Sequence, residues 1–180
     1  MVLLIGCSSD SVDSSDETPV IIETGLKDLA TSKGKFIGNL MRDGFFDNHD
    51  IYNGAIDNIL KTEYNALVTG NKLKMVNLLR DRPEDPFNIK ISDLNTYNID
   101  RFVNYANKHN MKKRGHVMIW YKQIPNWLDE ESKTWTSQQI YDFTESYIRA
   151  LSRYTNGKID EWDVLNLSLI HISEPTRQVL

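Results

Sequence analysis

Cysteine is nearly missing from this chain. Cys7 is the only one in 180 residues, so no disulfide can close within the chain. Missing too is any apolar run near the ~18 residues that a membrane-crossing helix requires. Basic residues are absent from the first 20 positions, which hold Asp10, Asp13, Asp16 and Glu17; with a net charge of -4 overall, the remainder is close to neutral. A near-neutral body offers no basic face for nucleic acid and makes neutral or weakly polar ligands the easier partners. The four histidines, His49, His109, His116 and His171, show no metal-ligand spacing, so no metal site is expected.

What is present fits a globular fold: 40% hydrophobic, 26% charged and 10% aromatic residues, enough to build a core under a solvated surface. The start is of another kind. Leu4-Ile5-Gly6-Cys7 resembles a bacterial lipobox, in which a small residue precedes a cysteine that is diacylated and becomes the mature N-terminus. On that reading residues 1–6 are a signal-peptide remnant and Cys7 is the lipidation site. Residues 7–25, rich in Ser and Asp, form a solvated tether, because such a composition cannot bury enough apolar surface to fold. The protein is then secreted or held at the outer cell envelope, touching membrane only through the lipid. The alternative is an apolar start by chance, since a basic n-region is missing and the apolar stretch is short.

From Leu26 onward short apolar strands alternate with amphipathic helices, the pattern of βαβ units and a parallel sheet. Strands are predicted at 35–41, 65–69, 113–121 and 159–165. A helix after the first strand is predicted from Tyr52, Ala55, Ile56, Ile59 and Leu60, spaced three and four apart on one face. A second, within 94–110, is expected to bury Ile99, Phe102, Val103 and Ala106. A third starts at Thr136, whose hydroxyl can cap the helix while Gln139 reaches back, and Gly157 supplies its left-handed stop. Its predicted buried stripe is Ile140, Phe143, Tyr147, Ala150, Leu151 and Tyr154. Residues 80–86, with two prolines among charges, are loop. Four strands with helical crossovers suit the first half of a (β/α)8 barrel or a small open α/β sheet, and polar residues gather at the strands' C-terminal ends, where such folds bind ligand.

Those polar residues carry a resemblance. Arg114-Gly115-His116-Val117-Met118-Ile119-Trp120-Tyr121-Lys122-Gln123-Ile124-Pro125-Asn126-Trp127 is similar to the third-strand motif of glycoside hydrolase family 10, the endo-1,4-β-xylanases. Tyr64 to Met75 follows the family's second-strand motif with substitutions, and Trp162-Asp163-Val164-Leu165-Asn166 follows Trp-Asp-Val-x-Asn-Glu up to its sixth place, where Leu167 stands. The resemblance covers about Leu26 to Asn166. It implies the first half of a (β/α)8 barrel and a retaining glycosidase that needs no cofactor. Such an enzyme uses an acid/base carboxylate on the fourth strand and a nucleophile on the seventh to cleave a β-1,4-linked polysaccharide such as xylan. It also implies that Asn71, Lys74, His116 and Gln123 bind sugar hydroxyls, that Trp120 forms part of the site wall, and that Asn166 meets the 2-hydroxyl beside the scissile bond.

Two departures bear on specificity: the family's Glu before Asn71 is Gly70 here, and the His after Trp120 is Tyr121. A third is the tail. Leu167 to Arg177 reads LSLIHISEPTR, the translation of a transposase adapter used in DNA library preparation, and Gln178 continues it. Residues 167–180 are therefore expected to be non-native, with both catalytic carboxylates missing and the chain itself inactive. Half a closed barrel also leaves unpaired strand edges and an uncovered inner face, so the chain alone is expected to aggregate or stay molten. A non-catalytic glycan-binding surface lipoprotein is the alternative function. Taken without the resemblance, Lys74 is a solvated loop charge and His116 a satisfied core histidine. Trp135 and Trp162 are assigned to packing. Glu161 and Asp163 lie on the face opposite Trp162 and away from the strand end, so they are not read as a catalytic pair.

Overall fold

The computed structural model describes residues 25–46 and 54–166. Cys7, Tyr52, Leu167 and the rest of the tail lie outside the described residues, as does almost all of the tether. Four strands form one sheet in the order β1-β2-β3-β4. These are β1 (Gly38–Met41), β2 (Ala66–Thr69), β3 (Lys112–Ile119) and β4 (Glu161–Leu165). Every neighbouring pair is parallel, with Gly38 beside Ala66, Ala66 beside Lys112 and Arg114 beside Glu161. Helices fill each crossover, which makes the arrangement half of a (β/α)8 barrel.

A helix that the periodicity did not mark, α1 (Leu26–Ser32), precedes β1, and the one-turn α2 (Asp43–Phe46) follows it. Helix α3 (Ala55–Glu63) leads into β2. The β2–β3 crossover holds the one-turn α4 (Met75–Leu78) and α5 (Tyr97–Lys108), while α6 (Asn126–Ser132) and α7 (Ser137–Thr155) link β3 to β4. Helix α5 buries Ile99, Phe102, Val103 and Ala106, the stripe its spacing predicted. The cap of α7 is also as read: the Gln139 backbone N–H donates to Thr136 Oγ1 (3.2 Å) and the Thr136 N–H donates to Gln139 Oε1 (2.9 Å). Gly157 has φ +71°. With Phe102 and Leu151 fully buried, cutting either to Ala would remove ~2–5 kcal/mol of stability.

Three expectations are corrected. The first strand is shorter than 35–41, because Ile37 gives its N–H to the Asn65 side chain (2.7 Å), which also donates to Thr31 Oγ1 and the Lys35 carbonyl. The chain's entry into the sheet is thus tied by one asparagine before the ladder begins. Ile140 is 46% exposed and Ile59 48%, so the apolar stripes of α7 and α3 are wider than the surface covering them. At the sheet's margins Leu40 (47%) and Leu165 (56%) are exposed as well, leaving apolar strand residues uncovered. Such uncovered residues are what half a closed barrel is expected to leave, since a parallel sheet is normally covered on both faces.

Candidate functional site

The C-terminal ends of the strands bring the predicted polar residues into two groups. Past β2 the chain turns through Gly70 and Asn71 to Lys74, which caps α4 and is only 8% exposed. Its ammonium donates to Asn71 Oδ1 (2.8 Å) and Gln123 Oε1 (2.7 Å) and sits 4.5 Å from the Trp120 ring centroid. The lysine that an isolated loop would leave in water is therefore held by two amides and an indole face. Burial pushes its pKa below the ordinary 10.5, and the Asp43 carboxylate partly offsets that.

Gln123 reaches this position from the loop after β3 through a backbone with φ +56°. A non-glycine residue there is strained, and the Val76 N–H, donating to the Gln123 carbonyl at 3.0 Å, pins the loop to α4. Asn71 is fixed just as firmly. Its N–H donates to Asp43 Oδ1 (2.9 Å), its Nδ2 to Asp43 Oδ2 (2.7 Å), and its carbonyl accepts from Asn77 Nδ2 (2.9 Å). The result is an unbroken string, Asp43–Asn71–Lys74–Gln123, alternating acceptors and donors beside Trp120.

His116 belongs to a second group, lower on β3. Its Nδ1 lies 2.9 Å from Asp163 Oδ2, and Asp163 also accepts from the Arg114 guanidinium. Glu161 takes Lys112 (3.1 Å) and Arg114 (3.6 Å), so the β3–β4 seam is a ladder of alternating charges. Burial opposes the charge on Asp163, but the hydrogen bonds and charges of Arg114 and His116 outweigh it and hold its pKa below 3.8. Trp162 lies on the other face: its Nε1 donates to Thr155 Oγ1 (3.2 Å) and its ring covers Gly115, where a Cβ would come within 2.3 Å of ring carbons. Beyond His116 the pairing of β3 with β4 becomes irregular, and the His116–Val117 peptide is cis.

Asn166 hydrogen-bonds through its N–H to the Ile119 carbonyl (3.1 Å), which sets it at the end of β4 beside β3. With Trp120 and Tyr121 it borders a hollow of about 220 Å³ whose other walls include Ile124, Leu128 and Phe143. That lining suits apolar side chains better than a sugar. A second hollow, of about 400 Å³, opens between the ends of β1 and β2 and is lined by Leu40, Arg42, Asp43, Gly44, Gly70 and Asn71.

Two residues that sequence reasoning did not assign to the site are built into these groups, Asp43 and Asp163. The signal for Asp43 was available, since it follows β1 as Asn71 follows β2. Asp163 could be placed beside His116 only by the strand register. Among the described residues no group of three or more His, Cys, Asp or Glu gathers as could hold a metal ion. What the first group can do is exchange hydrogen bonds with a neutral polyhydroxyl ligand while Trp120 covers an apolar sugar face.

Comparison with known proteins bears on the family and the fold. The sequence model of Glycosyl hydrolase family 10 matches residues 25–178, running past Asn166 into the tail. Endo-1,4-beta-xylanase B of Thermotoga neapolitana is 26% identical over 169 residues, spanning 92% of this chain and 42% of its own length. Endo-1,4-beta-xylanase A of Xylanibacter ruminicola is 31% identical over 80 residues, 43% of this chain and 22% of its own. Among solved structures, native xylanase 10B from Thermotoga maritima superposes with a TM-score of 0.65 at 21% identity, covering 77% of this chain and 39% of that one. The chain thus spans less than half the length of these relatives. With the family's model matched over most of its length and the half-barrel in place, this chain belongs to glycosyl hydrolase family 10.

Proposed function

We propose that residues 26–166 are the N-terminal half of a retaining glycosidase barrel whose parent protein hydrolyses internal β-1,4 linkages of xylan or a related β-glycan. The observation that carries this reading is the buried Lys74, held by Asn71 and Gln123 against Trp120 at the C-terminal edge of the sheet. Two of the ammonium's three N–H groups are taken by the amide oxygens, and the third suits a hydroxyl oxygen as its acceptor. In the intact barrel a carboxylic acid directly after Asn166 protonates the leaving oxygen. A carboxylate from a later strand forms the glycosyl-enzyme, and water activated by the first residue releases it. Asn166 meets the 2-hydroxyl beside the cleaved bond, His116 and Gln123 add hydrogen bonds on the glycone side, and no cofactor takes part.

On this reading Leu167 stands where the acid belongs, residues 167–180 are non-native, and the chain as written is inactive. Cys7 is the lipid attachment site, residues 7–25 are a tether, and the enzyme works outside the cell or at its envelope. A second reading, a non-catalytic glycan-binding lipoprotein, is favoured by Gly70 and Tyr121, which depart from the family's hydrogen-bonding residues.

One experiment separates them. The genomic locus is amplified across codons 160–180, and the protein from the uninterrupted gene is assayed on xylan. Glu directly after Asn166, a second Glu at a later strand end, and release of short xylo-oligosaccharides are expected. A genuine Leu codon at 167, with binding but no hydrolysis, establishes the binding protein instead.

A further inference from the structure

Asp43 brings to the Asn71–Lys74–Gln123 cluster a carboxylate that no motif placed there. It follows β1 directly, and both its oxygens accept from Asn71, Oδ1 from the backbone N–H and Oδ2 from the side-chain amide. A carboxylate offers about four lone-pair directions, so two acceptor positions remain. The carboxylate lines the 400 Å³ hollow between the ends of β1 and β2, a volume within the range of small-ligand sites.

Gly70 makes this possible. A Cβ at position 70 would stand 3.2 Å from Asp43 Oδ1, and any longer side chain would meet the carboxylate or fill the hollow. Through Asn71 the hollow joins the Lys74–Gln123 pair, so a ligand lying on Trp120 can extend toward β1 without leaving a line of hydrogen-bonding groups.

Resting on the glycosidase reading above, we propose that Asp43 is a sugar-binding and specificity-determining residue. It accepts hydroxyl protons from the sugar unit at the β1–β2 end of the site, supplying from β1 the carboxylate that Gly70 does not supply from β2. The occupant is a neutral pyranose with free hydroxyls; a unit substituted at those hydroxyls is excluded, because the acceptors then face no donor.

The test uses the protein from the uninterrupted gene and isothermal titration with xylotriose and with analogues deoxygenated singly in the terminal non-reducing unit. Asp43→Ala is expected to weaken xylotriose binding about tenfold, as loss of a hydrogen bond to a charged group does. For one deoxy analogue the variant and the unaltered protein should bind alike, since the partner hydroxyl is gone. D43A/G70E, which returns a carboxylate from the neighbouring strand, should recover most of the loss. Asp43→Asn keeps the side chain's shape and carries the same comparison at smaller amplitude if D43A does not fold. Equal weakening toward every analogue, without rescue by G70E, would mean that Asp43 only holds Asn71, and the proposal is overturned. Unchanged xylotriose affinity in D43A overturns it as well. If the unaltered protein does not bind xylotriose at all, the glycosidase reading fails and this inference with it; binding that Lys74→Ala abolishes and D43A leaves intact sinks this inference alone.

Discussion

Two polar networks lie side by side on one sheet, and they are built in opposite ways. The edge cluster of Asp43, Asn71, Lys74 and Gln123 surrounds a buried lysine with amide acceptors and an indole. The seam of Lys112, Arg114, His116, Glu161 and Asp163 alternates charges along two strands, with Arg114 and Glu161 largely in water. Water decides what each is worth. Exposed pairs are screened and contribute little to stability, whereas a buried cation with neutral partners costs stability and is left with binding capacity. The cluster is therefore the place to look for ligand, and the seam serves mainly to align β3 with β4 and to orient His116.

The largest effect should come from the cluster. Lys74→Met in the protein from the uninterrupted gene is expected to lower xylo-oligosaccharide affinity at least ~30-fold, the scale of losing a buried hydrogen-bonded charge, with its thermal melt unchanged or raised. A melt lowered by many degrees, with affinity retained, would turn the comparison round. The same contrast has a pH signature. Because the folded pKa of Lys74 lies below 10.5, folding is penalised while the lysine is charged, and that penalty is relieved as pH rises from the lowered value to 10.5. Ligand affinity should fall over the same interval, so stability and binding should move in opposite directions in paired titrations.

An intermediate effect is expected where the seam meets the core. Gly115→Ala puts a Cβ 2.3 Å from the Trp162 ring and should cost ~1–3 kcal/mol in urea unfolding, because the ring must leave Gly115 and its bond to Thr155. Trp162 fluorescence should change with it. An unaltered midpoint would show that the ring moves freely.

The smallest effects belong to the ion pairs. Arg114→Ala should cost at most ~1 kcal/mol, shrinking as salt is added. Asp163 adds a sign. Its depressed pKa contributes stability that is present above pH 3.8 and is lost as pH falls through the lower folded value. Asp163→Asn should flatten that acid limb of the stability curve. A salt-independent loss of several kcal/mol in Arg114→Ala would show that the seam is not solvent-screened.

Sequence reasoning read best where one helix made its own case. The spacing of Ile99, Phe102, Val103 and Ala106 already fixes the buried face of α5, and Thr136 with Gln139 fixes the start of α7, because both depend on residues within a turn or two. It read poorly where cover comes from elsewhere. Periodicity marks Ile140 as apolar-facing but cannot say that it borders a hollow beside Trp135 and Phe143. Helix α6 went unread because its residues followed the third-strand motif, and its start rests on the Pro125 carbonyl, which accepts from Leu128 and Asp129. Of the site, Asn71, Lys74, Gln123 and Trp120 are brought together, Asn166 borders the adjoining hollow, and His116 sits in the seam.

By itself the sequence determined the alternation of strands and helices, the strand ends that carry polar residues, and the family, since these follow from local periodicity and contiguous motifs. Only the tertiary structure decided the partners. The 28 positions between Asp43 and Asn71, and the 47 between His116 and Asp163, are spanned by crossover helices. No local rule specifies which carboxylate arrives at which strand end; the parallel register does, by setting β1 against β2 and β3 against β4.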